Sequence, residues 1–68
     1  MQIEISKIKE KLNDLEIKQS KMKIITNSGQ VFKGLVIFSF DEKVKVMDDQ
    51  LGVQYIPLNQ IREVKEGR

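Results

Sequence analysis

With 68 residues, no cysteine and no histidine, the chain cannot use disulfide staples, Cys/His zinc sites or any His-dependent catalytic dyad or triad. The formal charge is +2, and the surplus sits in residues 1–23, where six lysines face four acids; residues 24–68 carry six basic and six acidic side chains. A chain this short buries only about 60% of its unfolded surface, so a docked helix or homo-oligomerisation is expected to complete a marginal core.

Residues 1–20 read as a helix. Ile5, Ile8, Leu12 and Leu15 follow 3-4-3 spacing and share one stripe, with Met1 and Met22 in the same register and Gln19 interrupting it. Ser6 could instead cap a later start at Lys7, with Ile3 and Ile5 in an extended lead-in. The stripe has two readings: packing on the chain's own β-domain, or a coiled-coil seam between chains. No run of 18 apolar residues exists, so no membrane span is expected, and the charged N-terminus lacks a signal core. A cytoplasmic protein, of a cell or of its host, is the expectation.

Residues 21–68 read as a small β-barrel. Met22, Ile24 and Thr26 alternate as a first strand, and Asn27-Ser28-Gly29 supplies a turn. Gly29 to Phe40 then reads as one long strand bent at Gly34, where the missing Cβ marks a bend or a close backbone approach. Its even positions, Phe32, Gly34, Val36, Phe38 and Phe40, are assigned to the core. Val31, Leu35 and Ile37 make the second face apolar too, which predicts a cover from the helix or a neighbouring subunit. Asp41-Glu42-Lys43 is a polar turn, and Lys43 to Met47 is a third strand with Val44 and Val46 inward. A turn through Asp48-Asp49-Gln50-Leu51-Gly52 follows, with Gly52 left-handed. Val53 to Ile56 is a fourth strand, Pro57 to Gln60 a 3₁₀ turn, Ile61 to Val64 a fifth strand, and Lys65 to Arg68 a frayed end.

This pattern resembles the Sm-like small β-barrel family of Hfq and the LSm proteins. The likeness spans residues 5–65. Gly29-x₄-Gly34 is similar to the family's N-G-x₄-G step, and Phe40-Asp41 followed by Val44 and Val46 to its F-D turn into strand three. The spacing from Asp48 to Ile61 fits the same frame. The resemblance implies RNA binding and a ring in which strand four of one subunit meets strand five of the next. Tyr55 to Ile61, YIPLNQI, is also similar to the YIPSNYV ending of SH3 domains, which implies a protein-interaction or assembly adaptor as the alternative. The family's RNA-gripping residues are largely replaced. No Asn lies between Asp41 and Asp48, Lys43 stands where Hfq has an aromatic, and Pro57, Leu58 and Asn59 replace its Tyr-Lys-His.

Without His or Cys, no nucleophile–base pair can be assembled, and the reading is a non-enzymatic module with no catalytic residue, cofactor or metal. Asp41-Glu42 and Asp48-Asp49 are expected to be solvated turn acids. Gly29-x₄-Gly34 lacks the Lys-Ser/Thr of a phosphate-binding loop. Lys33, Lys43, Lys45, Tyr55 and Asn59 are the candidate nucleic-acid contacts: lysines for phosphates, Tyr55 for base stacking. The fold expected is mainly β, an N-terminal helix followed by a five-stranded, strongly bent antiparallel barrel of SH3-like or Sm-like type. Single-stranded RNA and further copies of the chain are the expected partners, a protein partner the alternative.

Overall fold

A computed structural model describes residues 3–67. Helix α1 (Ile3–Lys18) precedes strands β1 (Met22–Thr26), β2 (Val31–Ser39), β3 (Lys43–Asp48) and β4 (Gly52–Pro57). A 3₁₀ turn (Leu58–Gln60) leads into β5 (Ile61–Glu66). Met1 and Arg68, placed by the sequence reading in the helix stripe and the frayed end, lie outside the described residues.

Helix α1 stops two residues earlier than expected. Gln19 takes a left-handed conformation (φ 57°), which ends the helical hydrogen bonding and turns the chain toward β1. Leu12 and Leu15 are fully buried in the same core as Met22, Ile24, Phe32, Val36, Val44, Val46, Ile56, Leu58 and Ile61, and Ile8 packs against it. The apolar stripe is therefore filled by the chain's own barrel, and the coiled-coil reading loses its seam. Two polar contacts fix the helix on the sheet: Glu16 Oε1 accepts from the Ser39 N–H at 3.1 Å, and Lys9 Nζ donates to Asp41 Oδ1 at 3.1 Å.

The strands form one antiparallel sheet in the order β4-β3-β2-β1-β5. Edge strands β4 and β5 are joined only by the three-residue 3₁₀ turn. A flat five-stranded sheet is about 19 Å across, whereas three 3₁₀ residues rise about 6 Å. The sheet must therefore curl until its two edges approach, which makes the strongly bent barrel. Gly34 permits a close approach of the β3 backbone in that curl. A Cβ there would run into the backbone carbonyl of Met47, so only glycine fits. Gly29 (φ 91°) and Gly52 (φ 82°) supply the left-handed turn positions.

The last third of β2 departs from the sequence reading. Pairing with β3 is regular through Val36↔Val46, then resumes at Phe38↔Lys45 and Ser39↔Val44. Ile37 is the extra residue of a β-bulge. One inserted residue inverts the face of everything after it. Ser39 turns inward beside Val44, while Phe38 and Phe40 leave the core and stand 49% and 37% exposed. The second apolar face is also not covered by the helix, which closes the inward side instead; Val31 and Ile37 remain exposed. At the C-terminus, Lys65 and Glu66 are paired strand rather than frayed, and the Gly67 N–H donates to the Lys21 carbonyl at 2.8 Å.

Candidate nucleic-acid interface

The bulge gathers a surface cluster that strict alternation would have dispersed. Phe38 and Phe40 project from the end of β2 and meet edge to face, with centroids 4.8 Å apart and planes at 72°. Tyr55, on the outer face of β4, lies 6.5 Å from Phe40 at 35° and is 54% exposed. Lys45 of β3 sits opposite both Phe38 and Tyr55 in register, and Lys43 is opposite Pro57. The Lys43 ammonium stands 5.5 Å from the Phe40 ring and 5.3 Å from the Tyr55 ring; that of Lys45 is 5.8 Å from Tyr55. All three distances are within cation–π range, so each lysine is held over a ring while its charge still faces solvent. Exposed Met47 and Val53 extend the apolar floor toward the β3–β4 turn.

Such an arrangement offers flat π-faces beside fixed positive charge. It can stack an unpaired base and neutralise the adjoining phosphate, the two contacts single-strand binders combine. It offers no acid–base pair and no metal ligands: among the described residues no cluster of His, Cys, Asp or Glu could hold a metal ion.

Of the five residues singled out from sequence, Lys43, Lys45 and Tyr55 come together here. Lys33 does not. It lies on the outer face of the first half of β2, where its N–H donates to Asp48 Oδ1 at 2.9 Å and its carbonyl accepts from the Asp49 N–H at 2.8 Å. Asn59 is also elsewhere, in the 3₁₀ turn, where its carbonyl accepts from Asn27 Nδ2 at 3.3 Å. It borders a groove shared with Lys7 and Lys11 of α1 and Arg62 of β5. Phe38 and Phe40 are the members that sequence reasoning missed. Apolar residues on both faces of β2 hid the phase change, because no polar residue marked which side was outward.

Asp48 is the other correction. It is not a solvated turn acid but only 8% exposed. Its Oδ2 accepts from the N–H groups of Leu51 and Gln50 at 2.9 Å, and its Oδ1 from Lys33. These donors, Leu51 foremost, hold its carboxyl below the ordinary aspartate value, outweighing the opposing effect of burial. The side chain shapes the β3–β4 turn and ties it to β2. Asp41 and Asp49 do behave as surface acids, paired with Lys9 and Lys21 at 3.1 Å each.

No protein-family model matches the chain, and no curated protein matches it. Among solved structures it is similar to the crystal structure of the pleiotropic translational regulator Hfq. The TM-score is 0.74 at 16% sequence identity, over 82% of this chain and 92% of that one. At that identity the likeness shows the fold: the chain has the helix and five antiparallel strands of the Sm-like barrel. No helix among the described residues is long and apolar enough to cross a membrane.

Proposed function

We propose that this chain is a non-enzymatic Sm-like module of the cytoplasm that binds single-stranded RNA in a regulatory role, through Phe38, Phe40, Tyr55, Lys43 and Lys45. The observation that carries the reading is three exposed aromatic rings grouped under two lysines. Exposed rings cost hydration free energy that a monomeric soluble surface rarely tolerates in one patch. Base stacking returns it, at about 1–3 kcal/mol per base. The Sm-like scaffold, shared with a translational regulator, points the same way. The residues differ from those by which the Sm-like family is expected to grip RNA, so the chain would use the scaffold with its own contacts.

Self-association belongs to the same proposal. The outer edges of β4 and β5 have no strand partner among the described residues, and unpaired edges are templates for pairing. Joining β4 of one copy to β5 of the next would satisfy both edges and repeat the aromatic cluster around a ring. Light scattering before and after nuclease treatment reads the oligomer and any co-purifying nucleic acid together.

The direct test is fluorescence anisotropy of a short labelled single-stranded RNA at low and physiological salt. Wild-type protein should bind and weaken as salt rises. Tyr55→Ala should lose about 1–3 kcal/mol, roughly 5- to 150-fold in affinity, with the fold retained. Absence of wild-type binding at low salt overturns the RNA reading and leaves the protein-adaptor alternative, for which the same apolar surface would be the contact.

A further inference from the structure

A second charged feature lies on the other half of the sheet, and strand register creates it. Lys23 of β1 stands directly opposite Lys33 of β2 and directly opposite Lys65 of β5. The three side chains make one row across three strands. The row is on the outer face, since the neighbouring β1 residues Met22 and Ile24 are buried. Opposed Cβ atoms lie about 4.5–5.5 Å apart, so the three lysine side chains leave the sheet within a width of about 10 Å.

Like charges directly opposite one another destabilise a sheet. Here the chain does little to relieve them. Among the described residues, Lys23 and Lys33 have no acid within ion-pair distance, and Lys65 reaches only Glu63 at 3.8 Å. The nearby acids are engaged elsewhere: Asp49 with Lys21, Glu66 near Lys18, and Asp48 with three backbone N–H groups. Beside Lys23 and Lys33 a recess of about 320 Å³ opens at Met22, Gly34 and Gly67, and the Lys21–Asp49 ion pair closes its far wall, so among the described residues the unpaired cations that line it are Lys23 and Lys33. An anion seated along the row would meet Lys23 and Lys33 at the recess and Lys65 on the neighbouring strand, and would relieve their repulsion.

We propose that the Lys33–Lys23–Lys65 row is a phosphate-binding site that takes the backbone of a nucleic-acid strand. Lysine serves as a point charge for phosphate. The row contains no aromatic ring: Phe38, Phe40 and Tyr55 all belong to the opposite part of the sheet. It would therefore hold the strand without reading its bases, which is the usual division between phosphate and base contacts. The site is separate from the aromatic cluster and depends on the RNA reading only for the source of the phosphate.

The test uses the triple variant Lys23→Gln, Lys33→Gln, Lys65→Gln beside wild type. Anisotropy of single-stranded RNA against salt should show the slope of log K on log salt shallower by about 2, at roughly 0.7 per lost phosphate contact. The urea midpoint should stay level or rise, because repulsion has been removed; this separates lost binding from lost folding. In parallel, wild-type protein titrated with inorganic tripolyphosphate should move the backbone amide resonances of Lys23, Lys33 and Lys65 together. An unchanged RNA slope in a folded variant overturns the row and leaves the RNA reading standing. Tripolyphosphate shifts without any RNA binding overturn the RNA reading and support a phosphate site. Neither RNA binding nor amide shifts overturns both.

Discussion

The two halves of β2 differ in what an apolar residue does there. From Val31 to Val36 the strand alternates: Phe32 and Val36 are buried, Val31 and Lys33 face out, and Gly34 lets the β3 backbone approach. From Ile37 onward the same composition faces the other way. Phe32 is 6% exposed and Phe38 49%, although six residues apart on a strict period of two they would share a face. The first half builds the barrel, and the second, displaced by one bulged residue, supplies its exposed rings. An aromatic side chain in this strand is structural or available for binding according to which side of Ile37 it occupies.

Substitutions can break that contrast. The largest effect should come from Phe32→Ala, at about 4 kcal/mol by urea denaturation, because it leaves a cavity in the core. That is a large share of the stability of so small a domain. Gly34→Ala should follow at about 3 kcal/mol, since the new methyl meets the Met47 carbonyl rather than a movable side chain.

Asp48→Asn tests the turn that braces the first half. The Asp48 carboxyl is held below its ordinary value in the folded chain, so the unfolded chain takes up its proton first. Its stabilising contribution is therefore present above the ordinary aspartate range and fades as pH falls through the folded value. Urea midpoints measured from neutral pH down into the acid range should show this component in wild type and lack it in the variant.

Phe38→Ala, the counterpart of Phe32→Ala, should cost about 1 kcal/mol or less, an exposed edge-to-face contact being all that is lost. A cost near that of Phe32→Ala would place Phe38 in the core and remove the contrast. Smallest of all is Ser39→Ala. The Ser39 Oγ is buried without a hydrogen-bond partner among the described residues, so its removal should be neutral or stabilising by up to about 1 kcal/mol.

Much of the fold was legible in the residues. The 3-4-3 stripe of α1, the alternation Met22-Ile24-Thr26, the glycines at 29, 34 and 52 and the 3₁₀ turn after Pro57 all took the roles expected of them. The candidate site was legible in part. Lys43 and Lys45 alternate with the inward Val44 and Val46, which set the phase of β3, whereas Tyr55 stood out only as the aromatic residue outside the phenylalanine cluster, since Val53 and Ile56 make both faces of β4 apolar. Phe38 and Phe40 follow a run apolar on both faces, where phase has no marker. Asp48 looked like its neighbour Asp49 because adjacent acids in a turn differ only in which one points inward.

What the sequence by itself determined is the set of elements, their boundaries to within a few residues, and a close backbone approach at Gly34. Those depend on local properties: helical or strand periodicity, turn chemistry and the absence of a Cβ. The tertiary structure alone decided the bulge at Ile37, the outward turn of Phe38 and Phe40, and the opposition of Lys23 to Lys33 and Lys65. Each is a matter of register between strands, and register is set by how the whole sheet closes over its core.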